Sequence, residues 1–334
     1  MASPIPIIIG PTAVGKTDLS LAIAREFSAE IVGADSRQVY RYLDIGTAKP
    51  DAAQRRAVPH HLIDVADPDE PLNAAHFAQM AWGCIRSIEA RRKQPLVVGG
   101  SGMYIRALTD GLFMGPGAHP QVRATLEAEA HDLGGHALHR RLVQVDPKAA
   151  SRIHPNDQVR IIRALEIYTV TGTPISQWQR QWQHPAAPEA FVLIGLRRER
   201  EDLRRRIAAR TEAMLRQGLV DEVRGILARG FPPTLPALQS VGYGEIIAYL
   251  AEAFDLHRAR ELIERHTWRL AKRQMTWFRH IAGIHWISLT ETPEAAAVET
   301  SRSIVARAWE ALKLSPVQRE MDTQAARCTC PTLT

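Results

Sequence analysis

The sequence predicts an α/β fold, a parallel β-sheet flanked by helices and interrupted by a mainly helical insertion. Three observations lead there. Short β-rich runs alternate with helical runs over the first hundred residues. A glycine-rich turn, GPTAVGKT at 10–17, stands between the first strand-like run and the first helix-like run. Residues 116–190 then change character, opening near GPGAHP, closing at WQHPAAPEA and rich in Arg, His and Gln between, before a β-like run resumes at Phe191.

In order, Ile5 to Ile9 reads as a buried strand and Lys16 to Phe27 as a helix with Leu19, Ile23 and Phe27 along one side. Glu30 to Gly33 is a second strand, Ala74 to Arg92 a helix, and Pro95 to Val98 a third strand ending in Gly99-Gly100. Phe191 to Leu196 is a strand that rejoins this sheet, and helices are expected from there to about residue 314. The organisation is therefore a core in two parts, 1–115 and 191–314, an insertion at 116–190, and a tail at 315–334 expected to be disordered. In open parallel sheets ligands bind at the carboxyl ends of the strands. The chemistry should come from the segments just after them: 10–17, 34–38 and 99–102.

The chain has 334 residues, 45% hydrophobic and 23% charged, with a formal charge of +6. That composition suits a globular protein, and the positive sign favours a polyanionic partner over an acidic surface. Cys84, Cys328 and Cys330 are too few for a disulfide framework, so a reducing cytoplasm is expected. No signal peptide is expected, since Met-Ala-Ser-Pro runs directly into the Ile strand, and no apolar run is long enough to span a membrane. A cytoplasmic monomer with no membrane partner is the expectation.

Gly10, Gly15, Lys16 and Thr17 satisfy G-x-x-x-x-G-K-[ST] in full, in the strand–turn–helix context that a P-loop requires. The sheet is accordingly expected to resemble that of the P-loop NTPases. Backbone N–H groups of Thr12, Ala13 and Val14 would turn inward on phosphate oxygens, Lys16 would add a charge, and the Thr17 hydroxyl suits Mg²⁺. A P-loop grips a diphosphate without naming its owner. The strand PLVVGG lacks the terminal Asp that a motor or GTPase uses to hold magnesium. EIVGADS does end in Asp35, which can bind magnesium, accept a proton, or cap the following turn. Gln38 offers both a donor and an acceptor, the pattern that reads an adenine edge. His60 and His61 are adjacent, so they point apart and suit a loop better than a metal site.

Arg210 lies on the apolar stripe Leu203, Ile207, Met214 of its helix, and an inward Arg needs an anion: a diphosphate or a structural carboxylate. Arg265, Arg269, Lys272, Arg273, Thr276 and Arg279 share one side of a later helix, with Leu270, Ala271, Trp277 and Phe278 opposite. Such a face is either merely solvated or binds RNA. A small-molecule P-loop kinase would explain the cradle but not these basic elements. A transferase acting on free adenine nucleotides would not need the insertion, and a non-enzymatic RNA-binding module would leave Lys16, Thr17 and Asp35 idle.

Taken as a set, GPTAVGKT, DSRQVY, DIGTAKP, HHLID, VGGSGMYIRAL, HPND, SVGYGE and AKRQMTWFR resemble the bacterial tRNA dimethylallyltransferases, in order and spacing, over roughly residues 5–290. The resemblance implies transfer of a dimethylallyl group from dimethylallyl diphosphate to the exocyclic N6 amine of the adenosine 3′-adjacent to the anticodon in tRNA, with diphosphate leaving. It implies an isoprenoid diphosphate in the cradle, Mg²⁺ on Thr17, and Asp35, Ser101 and Arg210 at the reaction. It places Asp35, Ser36, Arg37, Gln38 and Ser101 against the tRNA. In the insertion it adds Arg123, Val159, Arg160 and Arg163. Towards the C-terminus it adds Ser240, Gly242 and Tyr243, then Lys272, Arg273, Gln274, Trp277 and Arg279. Three positions depart from the family pattern: Ser101 stands for its usual Thr, Val159 for Gln, and Gly244 for Arg.

Overall fold

A computed structural model describes residues 4–111, 117–179, 191–290 and 294–310. The tail expected to be disordered, with Cys328 and Cys330, lies outside the described residues, as do 112–116 and 180–190 at the edges of the insertion. The chain divides into two compact units, Met1–Thr109 with Ala187–Thr334, and Asp110–Ala186.

The first unit begins with β1 (Ile5–Ile9), α1 (Lys16–Glu26), β2 (Ala29–Ala34), α2 (Ala52–Ala57), β3 (His60–His61), α3 (Ala74–Ala90), β4 (Gln94–Gly99) and α4 (Gly102–Thr109). The second unit holds α5 (Pro120–Leu133), α6 (Gly135–Val145), α7 (Pro147–Ala150), α8 (Gln158–Thr171) and α9 (Ile175–Trp178). The first unit then resumes with β5 (Phe191–Arg197), α10 (Arg200–Arg216), α11 (Leu219–Ala228), α12 (Tyr243–Leu250), α13 (Leu256–Arg279), β6 (His285–Ser288) and α14 (Glu294–Glu310).

The six strands form one parallel sheet in the order β3-β2-β4-β1-β5-β6. Two of them differ from the sequence expectation. His60-His61, read as loop, pairs with Ile31-Val32 as a two-residue edge strand. His285–Ser288 pairs with β5 inside a stretch expected to be wholly helical. The imidazoles of β3 do diverge: His61 Nε2 meets Glu30 at 2.7 Å, whereas His60 Nδ1 meets the Val58 carbonyl.

Alternation along β1 sets the layers. Ile7 and Ile9 join the core with Phe77, Ile85 and Ile105 of α3 and α4, while Ile8 joins Leu19 and Ile23 of α1 and Val305 of α14 on the other face. All three isoleucines are fully buried, each contributing about 1.5–3 kcal/mol. Burial on both faces is why the strand reads as a continuous apolar run rather than an alternating one.

Register places the candidate chemistry. Ile9 pairs with Gly99, and Gly99 with Ala34, so β1, β2 and β4 end level. The segments that follow them leave the sheet at one edge.

The second unit has its own core, built from Leu126, Leu138, Leu142, Ile161 and Leu165 among others. Inside it, Glu166 is fully buried. Its carboxylate accepts the His119 N–H at 2.7 Å and guanidinium bonds from Arg163 at 2.8 Å and Arg123 at 2.9 Å. Burial alone would raise its pKa, but these three donors hold it below the ordinary carboxylate value.

Candidate active site

The turn after β1 is shaped by close approach. A Cβ at Gly10 would stand 2.8 Å from the Leu196 carbonyl oxygen, and Gly15 has φ 111° at the mouth of α1. α1 has no side-chain cap, unlike α2, α3, α8 and α13, whose first turns are capped by Asp51, Asn73, Asp157 and Asp255. Its leading N–H groups are thus left for an anion.

Cations surround this turn. Lys16 Nζ donates to the carbonyls of Gly10 at 3.0 Å and Pro11 at 2.9 Å. Burial pushes its pKa down to about 8, Asp35 opposes that shift, and Arg210 adds to it. Arg206 donates from Nε to the Ala13 carbonyl at 2.9 Å, and Arg198 to the Val14 carbonyl at 2.8 Å. Arg210 is half-buried and reaches the Thr47 carbonyl at 3.2 Å; burial lowers its pKa against the pull of Asp35. Among the described residues, Lys16, Arg206 and Arg210 have no ion-pair partner. Positive groups so placed around a P-loop make a site for a multiply charged anion. Arg198 and Arg206 were not foreseen, because a run of charges such as RRERED reads as a solvated surface.

Two cavities open here and share Thr12, Asp35, Thr47, Arg210 and Gln274. One, of about 440 Å³, lies over the P-loop and is lined by Thr12 to Asp18 and Arg206. The other, of about 500 Å³, has an apolar wall of Ile207, Met214, Ile263, Leu270 and Trp277 facing Ser36, Ser101 and Asp35. Trp277 rests against the start of α4, where a Cβ at Gly102 would lie 2.4 Å from its ring.

Asp35 serves one of the roles considered for it and stands where another would be exercised. Oδ1 accepts the N–H of Arg37 at 2.8 Å and of Gln38 at 3.4 Å, which is the turn-capping role. The residue also lines both cavities, which puts a carboxylate at their junction. Ser101 Oγ accepts the Ser36 N–H at 2.9 Å and lies 3.2 Å from Ser36 Oγ. The hydroxyl therefore ties the end of β4 to the turn after β2.

Several expected RNA contacts have other partners. Tyr243 is fully buried, with its hydroxyl on Glu222 at 2.6 Å. Gln38 spends both amide hydrogens on the carbonyls of Thr47 and Ala48. Gln274 faces inward, accepting the Thr12 N–H at 2.9 Å and donating to the Gly100 carbonyl at 3.0 Å. Ser240 and Gly242 are buried at the cavity wall, Ser240 bonding the Ala237 carbonyl. Arg37 reaches the Pro236 carbonyl.

Other expected contacts face solvent. Arg265, Arg269, Lys272, Arg273, Thr276 and Arg279 are all exposed along α13, while Ala271 and Phe278 are buried. In the second unit Val159 is 81% exposed, a large apolar side chain in water. Arg160 points outward beside Asp157, whereas Arg123 and Arg163 both turn to Glu166. Gly244 is unstrained, with no neighbour nearer than 3.9 Å to an added Cβ. Among the described residues no cluster of His, Cys, Asp and Glu could hold a metal by itself, and no helix is long and apolar enough to cross a membrane.

Comparison with known proteins bears on the same geometry. Residues 38–281 match the IPP transferase family, and residues 3–67 match the isopentenyl transferases. The tRNA dimethylallyltransferase of Geobacter metallireducens is 50% identical over 281 residues, covering 84% of this chain and 91% of that protein. The crystal structure of the full-length tRNA isopentenylpyrophosphate transferase from Bacillus halodurans is 38% identical with a TM-score of 0.68, over 92% of this chain and 97% of the other. A eukaryotic dimethylallyltransferase acting on tRNA is 27% identical with a TM-score of 0.75, over 91% of this chain and 78% of that one. Its P-loop NTPase-like sheet and cationic cradle, together with identity running through most of its length, make the chain a member of the IPP transferase family.

Proposed function

We propose that this protein transfers the dimethylallyl group of dimethylallyl diphosphate to the N6 amine of the adenosine 3′-adjacent to the anticodon in tRNA. The names of its relatives support the reaction. The observation that carries the reading is the pair of joined cavities, one cationic and one with an apolar wall, with Asp35 at their junction. A nucleotide kinase has no use for an apolar wall beside its transferred group.

The diphosphate lies on the N–H groups of residues 13–15 with Lys16, Arg206 and Arg210 around it, and the five-carbon group extends toward Met214. The adenine leaves its stack and enters the second cavity from the RNA. Its amine is a poor nucleophile, because the lone pair is delocalised into the ring. Asp35 accepts the amine hydrogen bond, aims the nitrogen at C1 and takes the proton as the N–C bond forms. The C–O bond breaks and its electrons go to diphosphate. The growing charge there falls among the three cations, whose stabilisation is greatest at that moment. Ser101 holds the Asp35–Ser36 turn in place.

The donor set suits Mg²⁺ only in part. Thr17 supplies one hydroxyl in the cradle and, among the described residues, no acidic cluster joins it, as fits an ion held mainly by water and substrate phosphate. When bound there it would neutralise diphosphate charge.

The second unit, with exposed Val159 and Arg160, and the outer face of α13 with Lys272, Arg273 and Arg279 are read as the tRNA-binding surfaces. Binding is then driven largely by phosphate contacts. The same reading has the enzyme act as a cytoplasmic monomer.

The test uses purified protein, unmodified tRNA, Mg²⁺ and labelled dimethylallyl diphosphate without ATP. Label at the adenosine beside the anticodon is the expected result. Label in added AMP but not in tRNA would instead identify a free-nucleotide enzyme, and no transfer to either would return the cradle to ATP.

A further inference from the structure

Beside the cradle lies a polar knot to which the reaction above assigns no role. Glu222 stands in the first turn of α11 and faces the loop 44–49. Oε2 accepts the backbone N–H of Asp44 at 3.2 Å and of Ile45 at 2.7 Å. Oε1 accepts the Gly46 N–H at 3.2 Å and the Tyr243 hydroxyl at 2.6 Å. Three consecutive backbone donors on one carboxylate form a nest, which holds its anion and is held by it. Burial, then the adjacent Glu222 charge, raise the Tyr243 pKa far above the ordinary phenol value, so that hydroxyl stays a donor. The loop backbone lies against the same ring, since a Cβ at Gly46 would be 2.4 Å from it.

The other end of the loop is also fixed. Lys49 is buried and donates to the Tyr40 carbonyl at 2.7 Å, to Asp44 at 2.5 Å and to Asp64 at 2.6 Å. Between these anchors stands Thr47. Its carbonyl receives Arg210 at 3.2 Å and Gln38 at 3.1 Å, and the residue lines both cavities. No side chain can be exchanged to move that carbonyl, so its position is set by what pins the loop.

We propose that Glu222 is a positioning residue for the transfer. It touches no substrate; by pinning residues 44–46 it fixes the Thr47 carbonyl, which orients the Arg210 guanidinium at the junction of the two cavities. The inference rests on the reading of Arg210 as a contact to the reacting diphosphate.

Glu222→Gln keeps the shape but removes the charge and turns an NH₂ group toward backbone donors. The expected result is a fall in kcat of about tenfold to a hundredfold, with tRNA Kd unchanged within about twofold. The deciding measurement is a double-mutant cycle with Arg210→Ala. If Glu222 acts through Arg210, the Gln substitution costs less than about twofold once Arg210 is gone. An equal loss in both backgrounds, or no loss in the first, overturns the inference. If Arg210→Ala alone turns over at the wild-type rate, the reading of Arg210 fails and this inference with it. If Glu222→Gln fails to fold, Tyr243→Phe takes its place in the cycle: it removes one bond from the carboxylate and leaves the nest. The expected loss is then about two- to fivefold and must again vanish without Arg210.

Discussion

Replacing Asp35 by Asn separates its capping and proton-accepting roles. The amide oxygen of Asn can still accept from Arg37 N–H, now at 2.8 Å, and from Gln38 N–H, so the turn after β2 persists. The negative charge is lost, and with it the ability to take a proton from the adenine amine. General-base catalysis supplies about a hundredfold to ten-thousandfold, so kcat should fall by that factor, about 3–5 kcal/mol of barrier. Asp35 also opposes the lowering of the Lys16 and Arg210 pKa values. Its loss lowers the Lys16 pKa further, so the KM for dimethylallyl diphosphate should stay level at low pH and begin to rise at a lower pH than in the wild type. Asp35→Ala would lose the cap as well, costing about 0.5–2 kcal/mol of stability that the Asn variant retains. Steady-state transfer of labelled prenyl group, with tRNA affinity measured in parallel, reads all of this. An Asn variant with wild-type kcat would refute the general-base argument. One with normal kcat and a raised donor KM would make Asp35 a binding residue only.

Lys16 predicts a pH dependence. Its pKa in the folded, unliganded protein is about 8, below the 10.5 of a free lysine, so the charge that meets diphosphate disappears as pH rises through 8. Donor KM should rise by up to about tenfold per pH unit above that value, and a KM unchanged between pH 7 and 9 would contradict it. The same depressed pKa stabilises the unliganded fold fully only above 10.5, and that contribution is lost as pH falls to about 8. Replacing Arg269, Lys272 and Arg279 together by Ala should lower the slope of log Kd for tRNA against log salt by about 2, at roughly 0.7 per phosphate contact. An unchanged slope would mean that this face of α13 is only solvated. Glu166→Ala strips the acceptor from Arg123 and Arg163. Both arginines reach water, so the cost should be about 2 kcal/mol, below the roughly 3–5 of a fully buried pair. Limited proteolysis should find the new cleavage inside 110–186, and a protease-resistant variant would show that the buried carboxylate is not needed there.

What was legible in the sequence followed from how strongly each pattern is written. Three consecutive isoleucines followed by GPTAVGKT specify a buried strand, a tight turn and a helix start with little ambiguity. The edge strands are not written that way. β3 is two histidines with no apolar period, and β6 is HWIS, which begins on an exposed His285. Both exist because a formed neighbour offers a free edge, which is a tertiary fact. In the site, Lys16, Thr17 and Asp35 were legible because their chemistry is local to a motif. Arg198 and Arg206 were not, since their targets are backbone carbonyls more than 180 residues earlier in the chain. Glu222 resembles any acid in a first helical turn until the loop of 44–46 is seen wrapped around it. Tyr243 shows the opposite limit: its motif suggests a contact, and its ring is core.

The amide of Gln274 joins the P-loop at Thr12 to the end of β4 at Gly100, and it does so from the helix whose outer face carries the exposed cations. On the reading proposed here, the two substrates therefore grip one rigid rod from its two sides. A shift of α13 under the nucleic acid is passed through the Thr12 amide to the turn of residues 13–15 that meets the donor. Linkage then fixes the return message: whatever factor tRNA imposes on donor affinity, the donor imposes on tRNA affinity. Severing the rod's hold with Gln274→Ala should bring that factor towards unity, turning a cooperative ternary complex into two independent binding events.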